Sequence, residues 1–157
     1  MKRVVLDSNA VDPIADVTGA LEVVRAAVDG GQLDVMFTHV TVEELAAITN
    51  KERRVRLLLA LIAIGRLVAA GAFVFGESRL GQERFGAEDG SLEMFRSGRL
   101  RHSRDALIAT TAQFEQCALV TNDHRLARRA REAGVDVLTS DEWLTALGFS
   151  GIDDARP

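Results

Sequence analysis

Residues 104–123 read RDALIATTAQFEQCALVTND, and this stretch decides the architecture. Ser103 is a good N-cap, and the spacing predicts a helix from it to about Gln116. Ala118-Leu119-Val120 follows as a short, continuous apolar run. Such a run, bounded by polar steps, reads as a strand buried on both faces. Asp105 falls in the first turn of the helix. Asp123 follows the strand directly, across Thr121-Asn122.

The same alternation extends in both directions. Upstream, Val4-Val5-Leu6 and Val35-Met36-Phe37 read as buried strands. Helical spacing over 17–28 ends at Gly30-Gly31. Thr41-Val42-Glu43-Glu44 has the form of a capping box that opens a further helix. Residues 53–71 predict one long helix, so apolar that it should be buried on more than one side. Phe73-Val74-Phe75 is a candidate third strand. Residues 76–101 are punctuated by glycines and mixed charge, and read as a loop enclosing a short helix, the most mobile region. Downstream, a helix over 124–133, a strand over 135–138 and a helix over 141–147 complete the pattern. Short apolar strands alternating with helices imply an α/β fold, a parallel sheet with helices on both faces. No internal repeat or boundary divides the chain, so 1–148 reads as one domain and 149–157 as a polar tail.

Composition narrows the functional classes. The chain has 157 residues, 47 % hydrophobic and 27 % charged, with net charge −4. That balance is globular, and the acidic sum argues against coating nucleic acid by charge alone. Cys117 is the single cysteine, so no disulfide forms within the chain. The most apolar segment, 57–72, is interrupted by Gly65 and Arg66 and falls short of the roughly 20 residues of a membrane span. A cytoplasmic protein with no membrane contact is the expectation.

The acids carry the chemistry. The crevice outside the carboxyl ends of the strands is the usual ligand site of an open α/β sheet. Asp7 and Asp123 lie at that edge, and Glu44 and Asp105 point toward it from the first turns of helices. Each also has a local reading: Asp7 closes a turn, Glu44 completes a capping box, Asp105 complements a helix dipole, Asp123 caps a helix. Together they would repel strongly unless a cation joins them, since two carboxylates about 4 Å apart repel by roughly 4 kcal/mol at an effective dielectric of 20. Carboxylate oxygens select Mg²⁺ or Mn²⁺. Zinc is disfavoured, because Cys117 is alone and His39, His102 and His124 lack ligand spacing. A cation so held binds phosphate oxygens and activates water, which points to phosphodiester hydrolysis.

These residues resemble the PIN-domain ribonuclease family. Val4-Val5-Leu6-Asp7-Ser8-Asn9 is similar to its opening strand and first acid. Val40-Thr41-Val42-Glu43-Glu44-Leu45 resembles the segment with its Glu, aligned to Glu44. Residues 104–112 and 118–123 are close to its third and fourth motifs, with the expected helix between them. The resemblance implies a three-layer α/β/α fold, Mg²⁺ or Mn²⁺, and endonuclease cleavage of RNA, as in the toxin half of a VapBC-type toxin–antitoxin pair. It implies a metal site of Asp7, Glu44, Asp105 and Asp123, supported by Asn9 and Thr121, and an antitoxin partner. The chain is long for such a toxin, the extra length lying in 76–101.

Arg96, Arg99, Arg101 and Arg104 lead into Asp105, and Arg125, Arg128 and Arg129 follow Asp123 on one helix face. Arg99, Arg101, Arg104 and Arg125 are candidate RNA contacts, with solvated faces as the plainer reading. The apolar 53–71 helix offers a homodimer or antitoxin surface, or simply a helix buried in its own domain. Other readings of the same acids are a structure-specific DNA nuclease, a phosphoesterase, or a silent binding module in which the acids only cap helices. A haloacid-dehalogenase-type phosphatase is disfavoured, because position 9 is Asn where a second Asp is needed.

Overall fold

A computed structural model describes residues 1–71 and 103–149. The chain begins with β1 (Lys2–Leu6), a single 3-10 turn (Ser8–Ala10), α1 (Val11–Asp16) and α2 (Ala20–Asp29). It continues through β2 (Leu33–Phe37), α3 (His39–Ala46), α4 (Lys51–Ile64) and β3 (Arg66–Leu67). After residue 102 come α5 (Ser103–Phe114), β4 (Ala118–Val120), α6 (His124–Glu132), β5 (Val137–Leu138) and α7 (Ser140–Ala146). The strand expected at 73–75 and the loop at 76–101 lie outside the described residues.

Among the described residues, five strands form one parallel sheet in the order β3-β2-β1-β4-β5. The chain first builds outward from β1 through β2 to β3, then returns to the other side of β1 with β4. Order therefore reverses between β1 and β4, where Val4 pairs with Ala118 and Leu6 with Val120. A crevice opens beyond the strand ends at such a switch point.

The pleat of β1 divides the core in two. Val5 faces one cluster, with Met36, Leu107, Leu119 and Leu126, covered by α5 and α6. Val4 and Leu6 face the other, with Ile14, Val24, Leu61 and Trp143, covered by α1, α2, α4 and α7. The result is the three-layer α/β/α arrangement. Val5, Leu6 and Leu119 are wholly buried, each contributing roughly 1.5–3 kcal/mol of hydrophobic transfer.

The structure corrects four expectations. The expected long helix stops at Ile64, because Gly65 turns extended (φ −139°, ψ 174°) and packs against Val35 and Phe37. Residues 66–67 then form an edge strand on β2. Nor is α4 buried on several sides: Leu57, Leu61 and Ile64 face the core, while Leu59 and Ile62 are 62 % and 66 % exposed. The capping box at Thr41 does not form. Helix α3 begins at His39, and the Thr41 hydroxyl donates to the Leu6 carbonyl at 3.1 Å instead. Glu44 therefore lies in the second turn. Helix α1 was not anticipated, its short length hiding any periodicity.

Where the described chain breaks off, the backbone is clamped. The Gly71 N–H donates to Thr111 Oγ1 at 2.8 Å, and a Cβ at position 71 would sit 2.4 Å from the Thr110 carbonyl oxygen. Only glycine permits that approach to α5. Among the described residues, no helix is long and apolar enough to cross a membrane.

Candidate functional site

Asp7 ends β1 at the switch point and is only 4 % exposed. Its backbone stays in the sheet, the N–H donating to the Val120 carbonyl at 3.0 Å. Its carboxylate is held on both oxygens: Ser8 N–H donates to Oδ1 at 2.7 Å, and the Thr121 hydroxyl donates to Oδ2 at 2.7 Å. Burial pushes the Asp7 pKa up to about 6 against the Thr121 hydrogen bond, and the charges of Glu44 and Asp105 raise it further. Asp7, directly after β1, thus feels the charge of acids on α3 and α5.

Each neighbour is steadied by a polar contact. The Ser8 hydroxyl donates to Glu44 Oε2 at 2.5 Å, tying α3 to the turn after β1. Arg104 Nε lies 3.5 Å from Glu44 Oε1, and its Nη2 donates to Glu43 Oε2 at 3.2 Å. Asp105, in the first turn of α5, accepts from Arg129 Nη2 of α6 at 3.1 Å.

Asp123 stands apart. Its Oδ1 accepts from Arg125 N–H at 2.7 Å and Leu126 N–H at 3.0 Å, the N-cap of α6 expected from sequence. It joins the others through Thr121, whose Oγ1 accepts from the Asp123 N–H at 3.1 Å. Asn9 supports this corner: its Oδ1 accepts from Asn122 N–H at 2.7 Å and lies 3.3 Å from Thr121 Oγ1. Asn122 in turn donates from Nδ2 to Ser140 Oγ at 2.9 Å, locking the ends of β4 and α7 together. Thr121 thus bonds both Asp7 and Asp123, while Asn9 bonds Asn122 and lies beside Thr121.

The donor set fits a hard divalent cation in its chemistry. The donors are carboxylate oxygens, their mutual repulsion is visible in Asp7, and each Asp7 oxygen keeps a lone pair beyond the hydrogen bond it accepts. They are not closed around a point: among the described residues, no three His, Cys, Asp or Glu side chains are close enough to hold a metal ion.

Of the candidate RNA contacts, Arg99 and Arg101 lie outside the described residues. Arg104 is engaged with Glu43 and Glu44, and Arg125 is exposed at the start of α6. The shared face expected for Arg125, Arg128 and Arg129 divides. Arg125 and Arg128 are exposed, while Arg129 folds inward onto Asp105 with a side chain 11 % exposed. Sequence reasoning also passed over Ser8, Asn122 and Ser140. Ser8 carried one usable signal, its position beside the first acid.

Comparison with known proteins agrees with this geometry. A family model for the PIN domain matches residues 4–132, a span that runs through all four acids. The chain belongs to the PIN domain family, whose members are typically nucleases and generally use divalent metal ions. Among solved structures, it is similar to VapBC2 from Rickettsia felis, bound to a DNA fragment from their promoter. That match has TM-score 0.56 and 14 % identity, over 87 % of this chain and 98 % of that one. PAE2754 from Pyrobaculum aerophilum matches with TM-score 0.56 and 14 % identity, over 94 % and 97 % of the two chains. VapBC-1 from nontypeable Haemophilus influenzae matches with TM-score 0.50 and 13 % identity, over 88 % and 98 %. At such identities the likeness is one of fold. No curated protein sequence matches the chain.

Proposed function

We propose that this chain is a Mg²⁺- or Mn²⁺-dependent endoribonuclease that hydrolyses RNA phosphodiester bonds, acting as the toxin of a VapBC-type toxin–antitoxin pair. The observation that carries the reading is Asp7: a buried carboxylate at the switch point whose proton affinity is raised by burial and by Glu44 and Asp105. Perturbed acids in a strand-end crevice are characteristic of catalytic sites. Membership of a family of nucleases supports the reaction class, and the VapBC complexes among the similar folds support the antitoxin partner. The working unit is a single domain over 1–148.

Asp7, Glu44 and Asp105 would hold the cation, with Asp123 completing the site from the α6 N-cap. A divalent cation bound there supplies charge to polarise the phosphodiester and to lower the pKa of the attacking water. The chain does the rest. Thr121 and Ser8 fix the Asp7 carboxylate, so that its free lone pairs face one way. Ser8 sets the rotamer of Glu44. Arg104 and Arg125 flank the crevice and orient the RNA backbone by its phosphates. In the cation-free chain burial pushes the Asp7 pKa up to about 6, so the carboxyl must release its proton for a cation to bind, and cation affinity falls as pH drops below 6.

The test is incubation of the purified protein with mixed structured and single-stranded RNA, in Mg²⁺, Mn²⁺ or EDTA, beside Asp105→Asn. Cleavage that needs the cation and disappears in the variant supports the proposal. A protein that binds neither cation and cleaves nothing would instead be a silent module whose acids cap helices.

A further inference from the structure

Helix α6 has anchors other than Arg129. The helix is capped at its start by Asp123 and carries Leu126, Ala127 and Ala130 into the core. Arg125 and Arg128 on the same helix remain in solvent. Arg129 instead gives up most of its hydration: its side chain is 11 % exposed, and its Nε is buried without a hydrogen-bond partner. Leaving a guanidinium N–H unpaired in the interior is costly. The contact that offsets this runs from Nη2 to Asp105 Oδ2, across from α6 to α5 at 3.1 Å. A charge placed so poorly for stability is explained by what it faces, a carboxylate already repelled by Asp7.

We propose that Arg129 is a built-in counter-ion for Asp105, which a divalent cation displaces on binding. This inference rests on the reading of Asp105 as a cation ligand. The guanidinium already occupies Asp105 Oδ2, and a cation drawn to the same carboxylate would meet a second positive charge there. Arg129 thus sets a threshold: it keeps α5 and α6 docked while Asp105 lacks a cation, and it lowers the affinity of the site. Arg104 differs, since it is more exposed and shared between Glu43 and Glu44.

Direct Mn²⁺ titration, read by the loss of free-ion electron paramagnetic resonance signal, tests this without any activity assay. Arg129→Gln should bind Mn²⁺ about fivefold more tightly than the unmodified chain, and Arg129→Lys should not. In an Asp105→Asn background, Arg129→Gln should change nothing. A folded Arg129→Gln protein with unchanged or weaker affinity overturns the proposal and makes Arg129 a packing residue. The unmodified protein gives an independent reading if Arg129→Gln fails to fold. Its Arg129 Nε–H resonance should move with added Mg²⁺ at the midpoint of binding, and a resonance that stays put while Mg²⁺ binds overturns the proposal. No saturable Mn²⁺ or Mg²⁺ binding by the unmodified chain overturns the metal-site reading itself, and this inference with it.

Discussion

The two ends of the sheet both gather charge, and they do so to opposite effect. At the amino end, Arg3 pairs with Glu115 and Asp34, and Arg66 donates to Asp34 from Nε at 2.9 Å and Nη2 at 2.7 Å. Two arginines meet two acids, and the Arg66 guanidinium holds the Asp34 carboxyl below its ordinary range. At the carboxyl end, Asp7, Glu44 and Asp105 draw together, and Asp7 is pushed the other way. A matched set of charges braces a structure. A surplus of one sign, kept in a crevice, costs stability and is kept for chemistry.

The sharpest way to break this contrast is by activity. Asp105→Asn is expected to lower RNA cleavage by at least about a hundredfold, because even outlying partners of a metal site cost 10–100-fold. Asp34→Asn should leave cleavage within about twofold of the unmodified chain. An Asp34 variant as inactive as the Asp105 variant would dissolve the distinction between the two ends.

Stability against pH separates them next. The Asp7 pKa stands at about 6 in the folded chain against 3.8 for an ordinary aspartate. Below pH 3.8 both forms are protonated and no penalty exists. Between there and pH 6 the unfolded chain ionises first, so stability falls as pH rises, and above 6 the full penalty of about 3 kcal/mol is present. Asp7→Asn in EDTA should therefore raise the melting temperature at pH 8 and leave it nearly unchanged at pH 4. Asp34 has the opposite sign. Its lowered pKa contributes stability that is present above the ordinary range and lost as pH falls through the depressed value. Denaturant titration of Asp34→Asn should show a loss of about 1 kcal/mol at pH 7. Smallest of all, Arg66→Gln should cost about 0.5 kcal/mol or less, since that side chain is 56 % exposed.

What was legible in the sequence was whatever depended on neighbours along the chain. Val4-Val5-Leu6 and Ala118-Leu119-Val120 are continuous apolar runs, and both are central strands. Asp7 and Asp123 could be placed at the sheet edge because each follows such a run. Asp123 even caps its helix as its position requires. Glu44 fell in the right helix but the wrong turn, because the Thr41 hydroxyl that should have capped α3 is spent on a carbonyl of β1, 35 residues away. The run from Leu57 to Ile64 is apolar throughout and resumes at Leu67-Val68, so periodicity across Gly65-Arg66 gives no sign that a helix ends there and a strand begins. Arg129 was hidden for the same reason as Thr41. Its partner lies 24 residues earlier, on a different helix, and i, i+3 and i, i+4 spacing placed it in solvent.

The clamp at Gly71 has a consequence for how the chain can vary. Residue 71 is held beside Thr111, and residue 103 opens the same helix eight positions earlier, about 12 Å along its axis at 1.5 Å per residue. The stretch between them starts and finishes on one rigid rod, the rod that carries Asp105. Insertions and deletions there leave the register of Asp105 to α5 alone. Changes of length between residues 71 and 103 therefore have no lever on the aim of Asp105, which α5 holds by itself.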